Sequence, residues 1–274
     1  MLTKIDLAKY PFTAEAAEYV KGLGIEIDEL ASDEYSPILE RAEKRIEESI
    51  VEAKVSGEMQ DVEVEIPSFP TAIMLVSQLR DERVARRYAL AESKRANEIL
   101  RNEVPEKVLD IASNTFRWKI KPVSLTVGGD YYDYAIHFKD YLRNAVNIRE
   151  SKWKLTNRIL EKGYTYVTRD EASRLLEEEV QRKVFEKTLQ TKVELPSQLE
   201  QRVGRIRQLA AAKMGFREAE ELPKIVSAEA MPPCIKNLYD ALFAGTHISH
   251  VGRFTLTSFL INIGATEQDL INLF

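Results

Sequence analysis

The chain has one cysteine among its 274 residues, which excludes an intrachain disulfide and fits a reducing compartment. It has no run of about 18 apolar residues, so no membrane-spanning helix and no membrane partner are expected. Met1 to Tyr10 lacks the basic start and apolar run of a secretory signal, which points to a cytoplasmic protein. Basic charge is not in excess either. A net charge of -5 argues against a surface that grips nucleic acid everywhere, because neutralising phosphates takes a surplus of Lys and Arg. Any contact with DNA must therefore be local. There is no internal repeat and no low-complexity tract. With 44% hydrophobic and 30% charged residues the composition is that of a globular chain, long enough for two modest domains.

What is present is mostly helical periodicity. Leu7 to Gly22 and Tyr35 to Lys54 read as amphipathic helices; in the second, Ile38, Leu39, Ala42, Ile46, Ser49, Ile50 and Ala53 recur at spacings of three and four. Pro67 and Pro70 bracket a predicted turn before a helix over Thr71 to Leu79. Further helices are predicted over Asp81 to Asn102 and Glu106 to Ser113. The pattern then changes: Phe116, Trp118 and Ile120 alternate ahead of Pro122, which marks a strand at or near a sheet edge. Gly128 and Gly129 supply a turn. Tyr164, Tyr166 and Val167 form another strand, and Thr168 with Glu171 makes a capping box that starts a helix over Asp170 to Thr188. Helix returns from Pro196 through Lys213. The expected fold is mainly α (α+β), a helical domain interrupted by a small α+β subdomain at about 114–193.

Three charged or glycine-rich segments invite a chemical reading. Asp61, Glu63 and Glu65 alternate, and on a strand they would put three carboxylates on one face, the arrangement that holds two metal ions in a polymerase. A solvated strand or loop face accounts for them as well, and no second acidic strand follows. Gly128-Gly129-Asp130 matches the hairpin of nucleotide cyclases in only three residues, and a plain turn explains it. The helix with Arg80, Arg83, Arg86, Arg87, Lys94 and Arg95 also carries Asp81, Glu82, Glu92 and Glu98. Mixed signs at spacings of three and four make a salt-bridged face, with a basic stripe for a nucleic-acid strand as the alternative.

The densest concentration of chemistry lies in MPPCIKNLYDALFAGTHISHVGRFTLTSFLINIG, which holds the cysteine, two of the three histidines and an arginine. Pro232 and Pro233 preset a helix with Ile235, Leu238 and Leu242 on one face, ended by Gly245. Thr246 to Gly252 reads as a loop carrying His247 and His250. Arg253 then opens a second helix with Leu256, Phe259, Leu260 and Ile263 on one face, closed by Gly264. A guanidinium at a helix start, beside two imidazoles, suits a phosphate. Cys234 reads as a plain buried cysteine, as a nucleophile paired with His247 or His250, or as a metal ligand beside them.

At these residues, P-P-C-I-x-x-L-x-x-A-L-x-x-x-x-H-x-x-H-x-G-R-F-x-L-x-x-F-L-x-x-I-G resembles the opening of the iron-sulfur domain of the archaeal and eukaryotic DNA primase large subunit. The resemblance extends to KYPFTAEAAEYVKGLGIEIDEL, to IPSFPTAIMLVSQLRDERVARRYALAESKRANEIL and to HFKDYLRNAVNIRESKWKLTNRILEKGYTYVTRDEASRLLEEEV, in family order and with an archaeal character. It implies a non-catalytic scaffold domain over residues 1–219, a linker over 220–233, and a partial helical iron-sulfur domain over 234–274. Its implied partners are the small catalytic subunit and the DNA template with its RNA/DNA primer; exposed members among Phe116, Trp118, Tyr131 and Tyr132 of the α+β subdomain are the candidates for the contact with the small subunit. It implies a cytoplasmic, nucleoid-associated protein. Cys234 matches the first of four cysteines that hold a 4Fe-4S cluster in the family; the other three do not occur in this sequence, so the cluster is expected in the full-length protein and not in this chain. His247, His250 and Arg253 match positions that contact the template end and the triphosphate of the initiating nucleotide, with Ser249 standing where eukaryotic members carry a basic residue. Two other readings remain: a metal-dependent nucleotidyltransferase built on Asp61 to Glu65, and a plain helical interaction module.

Overall fold

The computed structural model describes residues 2–57, 59, 61–214, 231–244, 246, 248–265, 270–271 and 273. The chain divides into two compact units, Met1–Gly215 and Phe216–Phe274. The described residues form eleven α-helices and one four-stranded antiparallel sheet, a mainly helical architecture with a small α+β insertion.

The first unit opens with α1 (Lys4–Lys9) and α2 (Ala14–Leu23), where the periodicity had predicted one helix over Leu7 to Gly22. Pro11 is the reason for the break: it has no N-H to give the ladder and it disfavours helical geometry at Tyr10. Thr3 caps α1 in a reciprocal box with Asp6, and Thr13 caps α2 through Ala16 N. Then α3 (Ser36–Glu52) buries Ile38, Leu39, Ala42, Ile46, Ser49 and Ile50, the stripe its spacing predicts.

Helix α4 (Val62–Leu79) corrects the sequence reading. It runs through both Pro67 and Pro70, and no turn separates them from Thr71. Each interior proline removes a ladder bond and costs about 3 kcal/mol in an exposed helix. Here burial outweighs that cost: twelve residues of α4, among them Ile66, Phe69, Ile73, Leu75 and Val76, are removed from solvent on nearly all sides. Asp61 is therefore the N-cap, accepting from Glu63 N at 2.8 Å, and Glu63 and Glu65 lie in the first turn.

After α5 (Glu82–Leu100) and α6 (Pro105–Asp110), a π-helical turn over Ile111–Thr115 leads into the sheet. Phe116 and Trp118 precede the strand instead of forming it. Trp118 N-H turns back to Ala112 O at 3.0 Å, Arg117 adopts φ 57°, and both aromatic rings are buried in the core. Strands β1 (Ile120–Val127) and β2 (Asp130–His137) form a hairpin whose turn residues Gly128 and Gly129 have φ of 63° and 94°, the primed geometry that glycine permits. The chain continues through α7 (Phe138–Ala145), β3 (Leu160–Glu161) and β4 (Tyr164–Val167). The strand order is β1-β2-β4-β3, so Pro122 does sit on an edge strand. Thr168 and Glu171 form the predicted capping box of α8 (Arg169–Gln190), which packs along α5; α9 (Ser197–Met214) lies on α3. Phe116, Trp118, Tyr134, Ile136 and Val167 belong to the same hydrophobic cluster as the helices, so the sheet shares their core.

Candidate functional site

In the second unit, α10 (Pro233–Phe243) and α11 (His250–Asn262) form a helical pair with a small core of Met231, Ile235, Leu256 and Leu260. Helix α11 begins one turn earlier than Arg253, which the sequence had placed at the helix start. Ser249 is the cap, its Oγ accepting from Gly252 N at 3.1 Å, and the Arg253 amide is already bonded to Ser249 O at 3.0 Å. The amides of His250 and Val251 remain outside the intrahelical ladder and form the positive end of the helix.

His250 and Arg253 are both exposed and, at a spacing of three, lie on one face of the first turn. His247 lies outside the described residues, as does Gly245, the predicted end of α10, and so do residues 220–230 of the linker predicted over 220–233, whose last residue, Pro233, opens α10. Cys234 is exposed in the first turn of α10. Sequence reasoning missed what brings the two helices together. Gly252 is buried, and a Cβ there would lie 2.6 Å from Ile248 Cγ2 and 3.1 Å from Leu238 Cδ2, so only glycine permits this approach. The Ser-x-x-Gly spacing from Ser249 was the available signal.

The three carboxylates near α4 do not converge. Glu63 is exposed and pairs with Lys4, while Glu65 is buried among arginines: Arg45 at 2.5 Å, Arg41 at 2.7 Å and Arg95 at 3.0 Å. Burial pushes the Glu65 carboxyl up, but these charges and the Arg41 hydrogen bond hold it below its ordinary value. Among the described residues, no group of three or more His, Cys, Asp or Glu side chains is placed to hold a metal.

Nor does α5 present one basic stripe. Arg95 is buried, and Arg87 donates to the carbonyls of Ser49 and Ile50 at the end of α3. Arg83 and Arg86 pair with Asp81 and Glu82. The mixed-charge pattern was in part a buried network, which the sequence does not distinguish from a solvated face.

Of the aromatic residues expected at a subunit contact, Phe116 and Trp118 are internal. Tyr131 is 52% exposed near the hairpin end, opposite Thr126 and donating its hydroxyl to Ser124 Oγ at 3.2 Å, and Tyr132 is half-buried against Tyr166. The ring of Tyr131 is thus the exposed aromatic surface that the hairpin offers.

The arrangement is that of a helical scaffold joined to a small unit whose exposed His and Arg flank a helix start. A family model described as the eukaryotic and archaeal DNA primase large subunit N-terminal domain matches residues 8–197, and that of the C-terminal domain of the same subunit matches residues 224–274. The chain is 34% identical to the DNA primase large subunit PriL of Methanocella arvoryzae over 98% of this chain and 72% of that protein. The same identity and shares hold for PriL of Methanosarcina mazei. PriL of Haloarcula marismortui is 28% identical over 97% of this chain and 75% of its own length. The chain belongs to the eukaryotic and archaeal DNA primase large subunit family, and its relatives place it on the archaeal side.

Among the described residues, no helix is long and apolar enough to cross a membrane.

Proposed function

We propose that this protein is the regulatory partner of a small catalytic primase subunit, which it binds through the first unit, and that its second unit supports primer initiation by holding the initiating triphosphate near the template end. The observation that carries this reading is the match of both domain models in order along the chain, with His250 and Arg253 exposed together on the first turn of α11 inside the second match. Arg253 can grip a phosphate through two parallel N-H donors, the free amides of the helix start add further donors, and His250 adds a hydrogen bond and, when protonated, charge. Residues 1–219 serve as the scaffold, 220–233 as the link, and 234–274 as part of the initiation domain.

The family resemblance implies a 4Fe-4S cluster. Such a cluster takes four thiolates, and the sequence offers Cys234 alone, exposed, with no other candidate ligands gathered around it among the described residues. The residues present do not fit the group, and no step of this proposal runs through it.

Catalysis is assigned to the partner because the Asp61 to Glu65 carboxylates are dispersed and Glu65 is already neutralised by arginine. The test is to purify the chain with and without a small primase subunit. Co-elution as a one-to-one complex, with nucleotide incorporation only when the small subunit is present, is the expected result. Incorporation by this chain alone with Mg or Mn would transfer the activity to it and end the proposal.

A further inference from the structure

Three helices of the first unit enclose a groove of about 450 Å³ that the reading above does not use. Arg86 comes from α5, Arg143 from α7 and Arg182 from α8. They converge although they are far apart in sequence and belong to no common motif. Arg86 lies over the Phe185 ring at 4.5 Å, which fixes the guanidinium plane against an apolar support while its edge stays exposed. Arg143 is exposed and has no ion pair among the described residues. Gln181 and Asn147 add neutral donors and acceptors on the same walls.

The acidic groups at this site are few, and each is engaged on its own helix. Glu178 lines the groove but pairs with Arg174 at 2.7 Å, and Glu82 and Glu179 tether Arg86 and Arg182. The Arg86–Glu82 pair is exposed on both sides and weak, so a phosphate competes with it on equal terms, whereas Glu179 is buried and leaves Arg182 only the outer edge of its guanidinium for a ligand. In a chain whose net charge is -5, three converging arginines with amide neighbours are a local exception. The volume lies at the small end of ligand sites.

We infer that the α5–α7–α8 groove is a contact for the phosphodiester backbone of a nucleic-acid strand, with Arg86, Arg143 and Arg182 as the phosphate-binding residues. The inference rests on the primase reading only for the choice of anion. Guanidiniums and amides without a ring of base-reading groups grip backbone phosphate and carry no sequence preference. The groove would hold a strand on the scaffold, separately from the triphosphate proposed at α11.

The test is fluorescence anisotropy of a labelled single-stranded oligonucleotide of about 20 nucleotides with the full chain, across a salt series. The R86Q/R143Q/R182Q triple variant should weaken binding about tenfold, as two- to threefold for each screened contact implies. It should also make the slope of log affinity against log salt shallower by about 2, at about 0.7 for each phosphate lost. Arg143→Gln alone, at an exposed position, should lower the slope by about 0.7 with no change in melting temperature. The corresponding triple Arg→Lys variant should retain the salt slope, because ammonium still binds phosphate as a point charge. The double variant H250Q/R253Q should keep the groove's contribution, separating it from the second unit. Unchanged affinity and slope in the triple variant and in Arg143→Gln would overturn the inference. Intact strand binding with lost co-elution of the small subunit would also overturn it, and would assign the groove to an acidic protein surface.

Discussion

Arg45 of α3 and Glu65 of α4 meet at 2.5 Å with their side chains 0% and 3% exposed. Arg45 also reaches Glu92 of α5 at 2.6 Å and Ser68 Oγ at 3.0 Å, and Glu65 accepts from Arg95 at 3.0 Å. Arg95 in turn donates to the carbonyls of Ser56, Lys9 and Ala8, so a single ionic cluster ties α1, α3, α4 and α5 together. A cluster of this kind adds little net stability over an apolar one, but it penalises any arrangement that leaves one member unpaired.

Glu65→Gln is therefore expected to destabilise the first unit by about 3–5 kcal/mol, because the anion shared by Arg41, Arg45 and Arg95 is lost and the buried Arg95 loses its carboxylate partner, while Glu92 still faces Arg45. Glu63→Gln, two residues away but exposed, should stay within about 0.5 kcal/mol. Urea unfolding measures both, and equal effects of the two would show that the cluster does not hold the helices together.

Acid should unfold the protein through Glu65 of this cluster and through a second one, in which Lys9 and Lys107 hold Asp6 and Glu103. Glu65, Asp6 and Glu103 are held below their ordinary values by Arg or Lys partners, despite burial that pushes them up. A depressed carboxyl contributes stability that is fully present above its unfolded value, near 4.5 for Glu, and is lost as pH falls through its folded value. Glu177 works in the opposite direction. Burial raises it, so its protonation favours the fold as pH falls and offsets part of the loss. Urea midpoints should be level near neutrality and decline below about pH 4.5, with a shallower decline in Glu65→Gln than in the parent protein. A decline that begins near pH 6 would point to histidine instead.

Local rules recovered those elements whose causes are local. The Thr168 to Glu171 box, the Gly128-Gly129 turn and the stripe of α3 each depend on residues within one or two turns of one another. Pro67 and Pro70 misled because the force that keeps α4 intact is burial by α3, α5, α8 and α9, which no window of sequence contains. Arg95 misled for a related reason: mixed charges on a helix have the same pattern whether the partner is water or a buried Glu65. At the candidate site, the residue types of His250 and Arg253 were legible, while the helix start was not, because Ser249 was taken as loop and not as cap.

Gly252 gives the second unit its own test. Gly252→Ala should cost about 1–3 kcal/mol by overpacking the start of α11, since the new Cβ meets Ile248 Cγ2 of the preceding loop at 2.6 Å and Leu238 Cδ2 of α10 at 3.1 Å. Limited proteolysis after residue 231 should accelerate. Adding Ile248→Ala should recover part of the loss by removing the clashing methyl; no recovery would mean that the contact with Leu238, not with Ile248, governs the effect, since helix propensity alone favours alanine.

Tyr131 tests the subunit contact. With Phe116 and Trp118 internal, the exposed aromatic of the hairpin is Tyr131, opposite Thr126. Tyr131→Ala should weaken small-subunit binding by about 1–2 kcal/mol, or roughly five- to thirtyfold, as for a moderate interface anchor, without changing the melting temperature. Val104→Ala, at a 55% exposed position outside the sheet, is the control. Equal affinity for parent and Tyr131→Ala would move the contact elsewhere on the unit.

Arg253 tests initiation itself. Its backbone is fixed by the Ser249 carbonyl at 3.0 Å and its side chain is exposed, so truncation removes a charge without opening a cavity. If the guanidinium holds the triphosphate of the first nucleotide, the lost charged contact should cost about 1.5–3 kcal/mol, which weakens initiation roughly 10-fold to 150-fold. Elongation of a supplied primer should change little, because a primer end has already replaced the initiating triphosphate. His250→Gln should act in the same direction more weakly, because it removes one hydrogen-bond partner and leaves Arg253 in place. The measurement is primer synthesis by the complete heterodimer on unprimed and primed templates, with binding of the small subunit checked in parallel. A folding role for Arg253 would lower both activities together, and a side chain with no role would lower neither. Either of those results would remove the triphosphate from this helix start while leaving the scaffold function untouched.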